Sequence, residues 1–199
     1  MTAIDLSSDI GLAAVFVLTA NLLLGLLLGA NYNPWTHWPH RRFNYFKLHN
    51  WTGYTALVLA LLHPVVLLAS DEAKFGLIDI IYPVNAPKQP WINVLGAIAL
   101  YTLVVVVVTS YFRRKMTRSR WKAFHFAVYG VAVFAFIHSI WTDPTLKDAA
   151  IDYLDGEKVA VELCPVIALA ATVWRIRRAR RRAPEAGPAP VLSHSRTGG

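Results

Sequence analysis

The chain has 199 residues, 55% of them hydrophobic and only 16% charged, with a mean hydropathy of +0.40. That balance excludes an ordinary soluble globular domain and points to a membrane protein. A lone cysteine, Cys164, excludes an intramolecular disulfide or a thiolate metal cluster built from this chain alone.

Apolar runs recur at residues 10–30, 48–69, 91–112, 121–142 and, less cleanly, 159–174. Each is near the roughly 20 residues that a helix needs to cross a hydrocarbon core about 30 Å thick. The first run follows Asp5 and Asp9 with no Lys or Arg before it, which is unlike the basic start of a signal peptide, so it reads as a true span. The fifth is short and contains Glu162 and Pro165. The expected fold class is therefore all-α: a polytopic membrane helix bundle of about five transmembrane helices. Residues 1–176 form the membrane domain and 177–199 a basic, Pro/Ala/Gly-rich disordered tail in which His194 has no evident role.

The charges orient the bundle. If the spans alternate, the segments 31–47, 113–122 and the C-terminal tail share one side and hold 16 of the 20 Lys and Arg residues. The opposite side is net acidic. By the positive-inside rule the N-terminus is outside and the C-terminus cytoplasmic, in a cell membrane expected to be the bacterial inner membrane. The net charge of +8 is then explained by topology and anionic lipid, and nucleic-acid binding is set aside.

Four of the seven histidines bracket two of these runs. His49 and His63 enclose "NWTGYTALVLALL" in span two, and His125 and His138 enclose "FAVYGVAVFAFI" in span four. Ionisable side chains within a bilayer are costly and usually face a partner, a cavity or a cofactor. A single such histidine is as well explained by a bond to a neighbouring helix, but four at nearly matched spacing are not. Spans two and four run in the same direction, so His49 pairs by depth with His125 near the inner face and His63 with His138 near the outer one. At 1.5 Å per residue the two levels lie about 20 Å apart.

Two histidines per level without a matching Cys, Asp or Glu make a poor zinc site, since zinc wants three or four protein ligands or an open catalytic position. They suit two stacked haem b groups clamped between spans two and four, each iron held by two imidazoles and used for electron transfer. Gly53 and Gly130, close after His49 and His125, are candidates to let a macrocycle approach the backbone, with ordinary helix packing as the alternative. One feature of span four conflicts with this register. Fourteen steps bring His63 back to within about 40° of His49, whereas thirteen leave His138 about 140° from His125 on an ideal helix. Tilt, local distortion or different rotamers are needed.

The two histidine pairs, with "RW" at 120–121 before "FH", "VYG" after it and "IHSIW" at the end of the span, resemble the ferric reductase-like transmembrane domain. NADPH oxidases, ferric reductases and the membrane haem subunit of the periplasmic methionine sulfoxide reductase system share it. The resemblance covers residues 10–175 or so and implies two b-type haems carrying electrons outward, one at a time. It implies a transmembrane haem-dependent oxidoreductase subunit that relays electrons from a cytoplasmic donor to ferric iron, oxygen or a periplasmic protein. Large members continue into a flavin and nicotinamide domain, whereas this sequence ends after an arginine-rich stub. The expected donor is thus a separate flavoprotein, or a flavin (FAD or FMN) or quinol at the cytoplasmic face.

Arg41, Arg42, Lys47, Arg113, Arg114 and Arg120 are candidates to pair with inner propionates, a flavin phosphate or an acidic partner, with positive-inside anchoring the alternative. Trp51, Trp121 and Trp141 read as interfacial aromatics. Phe134, Phe136 and Tyr54 fall between the two levels, and His37 and His40 receive no ligand role. The competing functions are a quinol-linked di-haem cytochrome and a non-enzymatic transporter or assembly subunit whose histidines relay protons or bind a metal.

Overall fold

The structure, a computed structural model, describes residues 1–30, 32, 44–147 and 151–182. Arg41, Arg42, His37, His40 and His194 lie outside them. Among the described residues the secondary structure is helical throughout, and five helical segments are long and apolar enough to cross a membrane.

Each helix begins where its sequence supplies a start signal. In α1 (Ala3–Gly29), Thr2 and Asp5 form a capping box: the Asp5 amide donates to Thr2 Oγ1 at 3.1 Å and the Thr2 amide to Asp5 Oδ2 at 2.7 Å. Asn44 caps α2 (Tyr45–Val66) by accepting from the Lys47 amide. A short α3 (Leu77–Ile81) lies in the following connection, and the Tyr101 hydroxyl donates to the Ile81 carbonyl. Pro90 occupies the first turn of α4 (Pro90–Tyr111), where no intrahelical donor is lost. Thr117 caps α5 (Arg118–Phe126), and α6 (Val128–Trp141) follows after Ala127. The last helix, α7 (Gly156–Arg182), is longer than the expected fifth span. Arginine is a good helix former, so α7 runs through the basic stretch beyond residue 176.

α1 packs antiparallel on α2 and α4 on α6, while α7 lies against α6 and runs parallel to α1, whose end at Gly29 meets Arg175. Large apolar side chains such as Val58, Trp91, Val133, Val166 and Leu169 point outward, as expected of helices solvated by lipid rather than water. The chain is an integral membrane protein. At the acidic end Ile4, Leu67, Ala73, Phe75, Ala86 and Leu146 cluster, tying the N-terminus to both acidic-side connections.

Two polar ties fix the α6–α7 connection. Gln89 and Asp143 exchange side-chain-to-backbone bonds at 3.1 and 3.0 Å. Lys158 is buried, and its Nζ donates to the carbonyls of Ser139, Ile140 and Thr142, which the end of α6 leaves without helical partners. Lys158→Met is therefore expected to lower stability by about 1–3 kcal/mol, seen as a lower thermal midpoint in detergent.

Candidate functional site

The fold brings the four histidines together in the two pairs expected from depth. The ring centres of His49 and His125 are 6.1 Å apart, and those of His63 and His138 are 6.2 Å apart. Span four is broken between its two histidines. The helix is interrupted at Ala127, whose amide bonds the Phe124 carbonyl three residues back at 3.1 Å. A tightened turn rotates further per residue than an α-helix, the direction needed to bring His138 round in thirteen steps rather than fourteen.

Helices α1 and α4 hold the rings from behind. On α1, the Ser7 hydroxyl donates to the His63 carbonyl at 2.8 Å, while the Ser7 carbonyl accepts from His63 Nδ1 at 2.7 Å. Asn21 repeats this for His49: its amide donates to the His49 carbonyl, and its own carbonyl accepts from His49 Nδ1 at 3.1 Å. Thr52 Oγ1 accepts a second bond from the Asn21 amide at 2.8 Å. On α4, the Ile92 carbonyl accepts from His138 Nδ1 at 2.9 Å, and Ser110 Oγ lies 3.3 Å from His125 Nδ1. A ring whose Nδ1 carries the donated proton keeps its lone pair on Nε2, the arrangement of an imidazole oriented to ligate a metal.

Glycines make the close approach possible. A Cβ built on Gly11 would meet His63 Nδ1 at 2.8 Å, one on Gly25 would meet His49 Cε1 at 3.2 Å, and one on Gly96 would meet His138 Cε1 at 2.9 Å. Each lies one helical turn beyond the residue that bonds the same ring. Ser7 and Asn21, Gly11 and Gly25, Gly96 and Ser110, and His49 and His63 are all fourteen residues apart. Since about 14.4 residues make four turns, the repeat returns each position to the same face at the other level, with the same contact on α1 and a different one on α4, where Gly96 makes room for His138 and Ser110 lies beside His125 Nδ1. Gly53 abuts the Asn21 amide, where a Cβ would sit 3.3 Å from Nδ2, and Gly130 faces open space within 4 Å.

Between the levels lies an aliphatic floor, the buried Leu18, Ala56, Leu103 and Val131, one from each surrounding helix. Of the aromatics placed there by sequence, Phe136 is buried against α1 and α7, and Tyr54 is 38% exposed with its ring against Trp51. Trp121, read from sequence as interfacial, belongs to the basic-side pair: it stacks on His125 at 5.0 Å and 23°, and its buried indole N–H has no hydrogen-bond partner. Arg120 is exposed on α5, and Arg113 reaches back over the Phe46 ring at 4.5 Å.

The acidic-side pair opens into a cavity of about 220 Å³ lined by His63, His138, Gly11, Gly96 and largely apolar neighbours. The residues present fit a haem at each level. A metal–imidazole bond of about 2.0–2.1 Å, with the ring centre roughly 1 Å behind the nitrogen, puts two trans imidazoles roughly 6 Å apart between centres. Among the described residues no group of three or more His, Cys, Asp or Glu gathers as a metal site. Each level brings two imidazoles together.

A family model described as Ferric reductase like transmembrane component matches residues 10–136. The match includes His49, His63 and His125 and ends two residues before His138. No curated protein and no solved structure matches the chain.

Proposed function

The chain belongs to the ferric reductase-like transmembrane family and is a membrane oxidoreductase component, and from that premise we propose that it relays electrons across the membrane through two b-type haems. His49 and His125 hold the inner haem at the basic, cytoplasmic side, and His63 and His138 hold the outer one. The observation that carries this reading is the pair of imidazole–imidazole separations, 6.1 and 6.2 Å, at two depths of one bundle.

Bound haem supplies a one-electron carrier at each level. The protein's own contribution is position and exclusion. Ser7, Asn21 and Ile92 fix the ring tautomers, Gly11, Gly25 and Gly96 admit the rings against the backbone, and the aliphatic floor keeps water from joining the levels. The exposed basic segment around Arg114, Arg118, Arg120 and Lys122 offers a docking face for an anionic donor, whether a flavin phosphate or an acidic flavoprotein. Residues 1–176 act as the haem domain and 177–199 as a cytoplasmic extension. The acceptor is external: ferric iron, oxygen or a periplasmic protein.

The test is a visible spectrum of protein purified after expression with ample haem supply. Low-spin bis-imidazole bands that shift on reduction are expected. A colourless, folded protein would contradict the proposal.

A further inference from the structure

A second cleft, of about 660 Å³, lies where the basic-side ends of α1 and α7 meet α6. We propose that it binds the phosphate of an anionic phospholipid headgroup, a role separate from the histidine pairs. Its lining includes Arg175, Arg178 and Arg180, and among the described residues no carboxylate lines it. Three guanidinium groups gathered at a membrane boundary without a counter-charge among the described residues call for an anion, and the arginine fork matches phosphate oxygens.

Arg175 and Arg178 are held in place by their neighbours. Arg175 Nη1 donates to the Tyr129 hydroxyl at 3.0 Å. It crosses the end of α1 at Gly29, where a Cβ would sit 2.8 Å from Nη2. The Arg178 guanidinium lies over the Tyr32 ring at 4.9 Å and over Trp174 at 5.6 Å, and its buried Nε has no hydrogen-bond partner among the described residues.

A lipid rather than a soluble anion is favoured by what adjoins the cleft. The exposed apolar side chains of Leu169, Val173 and Ile176 run along α7 to its mouth, a track for acyl chains. Tyr32 and Trp174 meet edge to face at 5.4 Å at the level of the headgroups. Basic pockets between membrane helices on the cytoplasmic side are sites of anionic lipid recognition.

The test is native mass spectrometry of the full chain equilibrated in detergent with equal phosphatidylglycerol and phosphatidylcholine. The wild type is expected to retain phosphatidylglycerol, and Arg175→Gln with Arg178→Gln to lose roughly tenfold or more of that retention. Arg113→Gln with Arg114→Gln, which removes the same charge elsewhere, is expected to keep it. Tyr129→Phe changes no charge and is expected to lower retention several-fold, so the test survives if the double variant does not fold.

The proposal is overturned by equal retention of both lipids, by equal loss in the Arg113/Arg114 variant, or by unchanged retention in Tyr129→Phe. Displacement of the lipid by millimolar inorganic phosphate would assign the cleft to a soluble anion instead. Loss of bound haem from the Arg175/Arg178 variant would assign it to the histidine site. Failure of the spectrum above leaves this proposal standing, since lipid retention is read without it.

Discussion

His63→Ala is expected to stop transfer to an impermeant external ferric chelate in sealed, natively oriented vesicles while leaving the basic-side level reducible from the cytoplasmic side. The loss should be at least about tenfold, because the remaining level lies about 20 Å short of the outer one along the helix axes. The substitution removes the ring whose Nδ1 donates to the Ser7 carbonyl, and His138 has no other described histidine within its pair. His138→Ala is expected to do the same. Initial rates of chelate reduction, set beside cytoplasmic-side reduction of the haem bands, separate the two levels. Undiminished transfer in either variant would take the outer pair off the path.

Gly96→Val and Gly11→Val are expected to empty the acidic-side level without touching any histidine. At Gly96 the new Cβ would lie about 3 Å from three atoms of the His138 ring, which must then leave its bond to the Ile92 carbonyl. Overpacking of this kind typically costs about 1–3 kcal/mol, so the bundle should still fold. Gly25→Val should affect the basic-side level alone, because its Cβ meets His49. Optical spectra of the three proteins, normalised to chain concentration, check this. If Gly96→Val and Gly25→Val lose the same component, the glycines do not serve separate levels.

The spans and the histidine pairs were legible because each rests on a property of one segment. Apolar length marks a helix that can cross a bilayer, and two histidines four turns apart mark two depths. Asn21, Ser7 and the three cradling glycines were not read, since their roles exist only across a helix–helix contact, and α1 after Asp9 is an uncharged, largely apolar run. A signal was nonetheless present: the fourteen-residue step from Gly11 to Gly25 equals that from His49 to His63.

Of the two glycines read from sequence, Gly53 faces the Asn21 side chain, and Gly130 has no described atom within 4 Å of where a Cβ would stand. Trp121, read from sequence as interfacial, also meets a histidine. Four residues separate it from His125, one turn of α5, so its ring covers the imidazole while still lying near the membrane boundary. Span four was legible as a conflict of register, though the position of its break at Ala127 was not.

The central claim is that each histidine pair holds its own haem. It is tested most directly by haem per chain, measured chemically on the purified wild type and on His49→Ala and His63→Ala. The account predicts two haems in the wild type and one in each variant, the two retained haems having different spectra or potentials. One haem in the wild type, or the same haem retained by both variants, would contradict it.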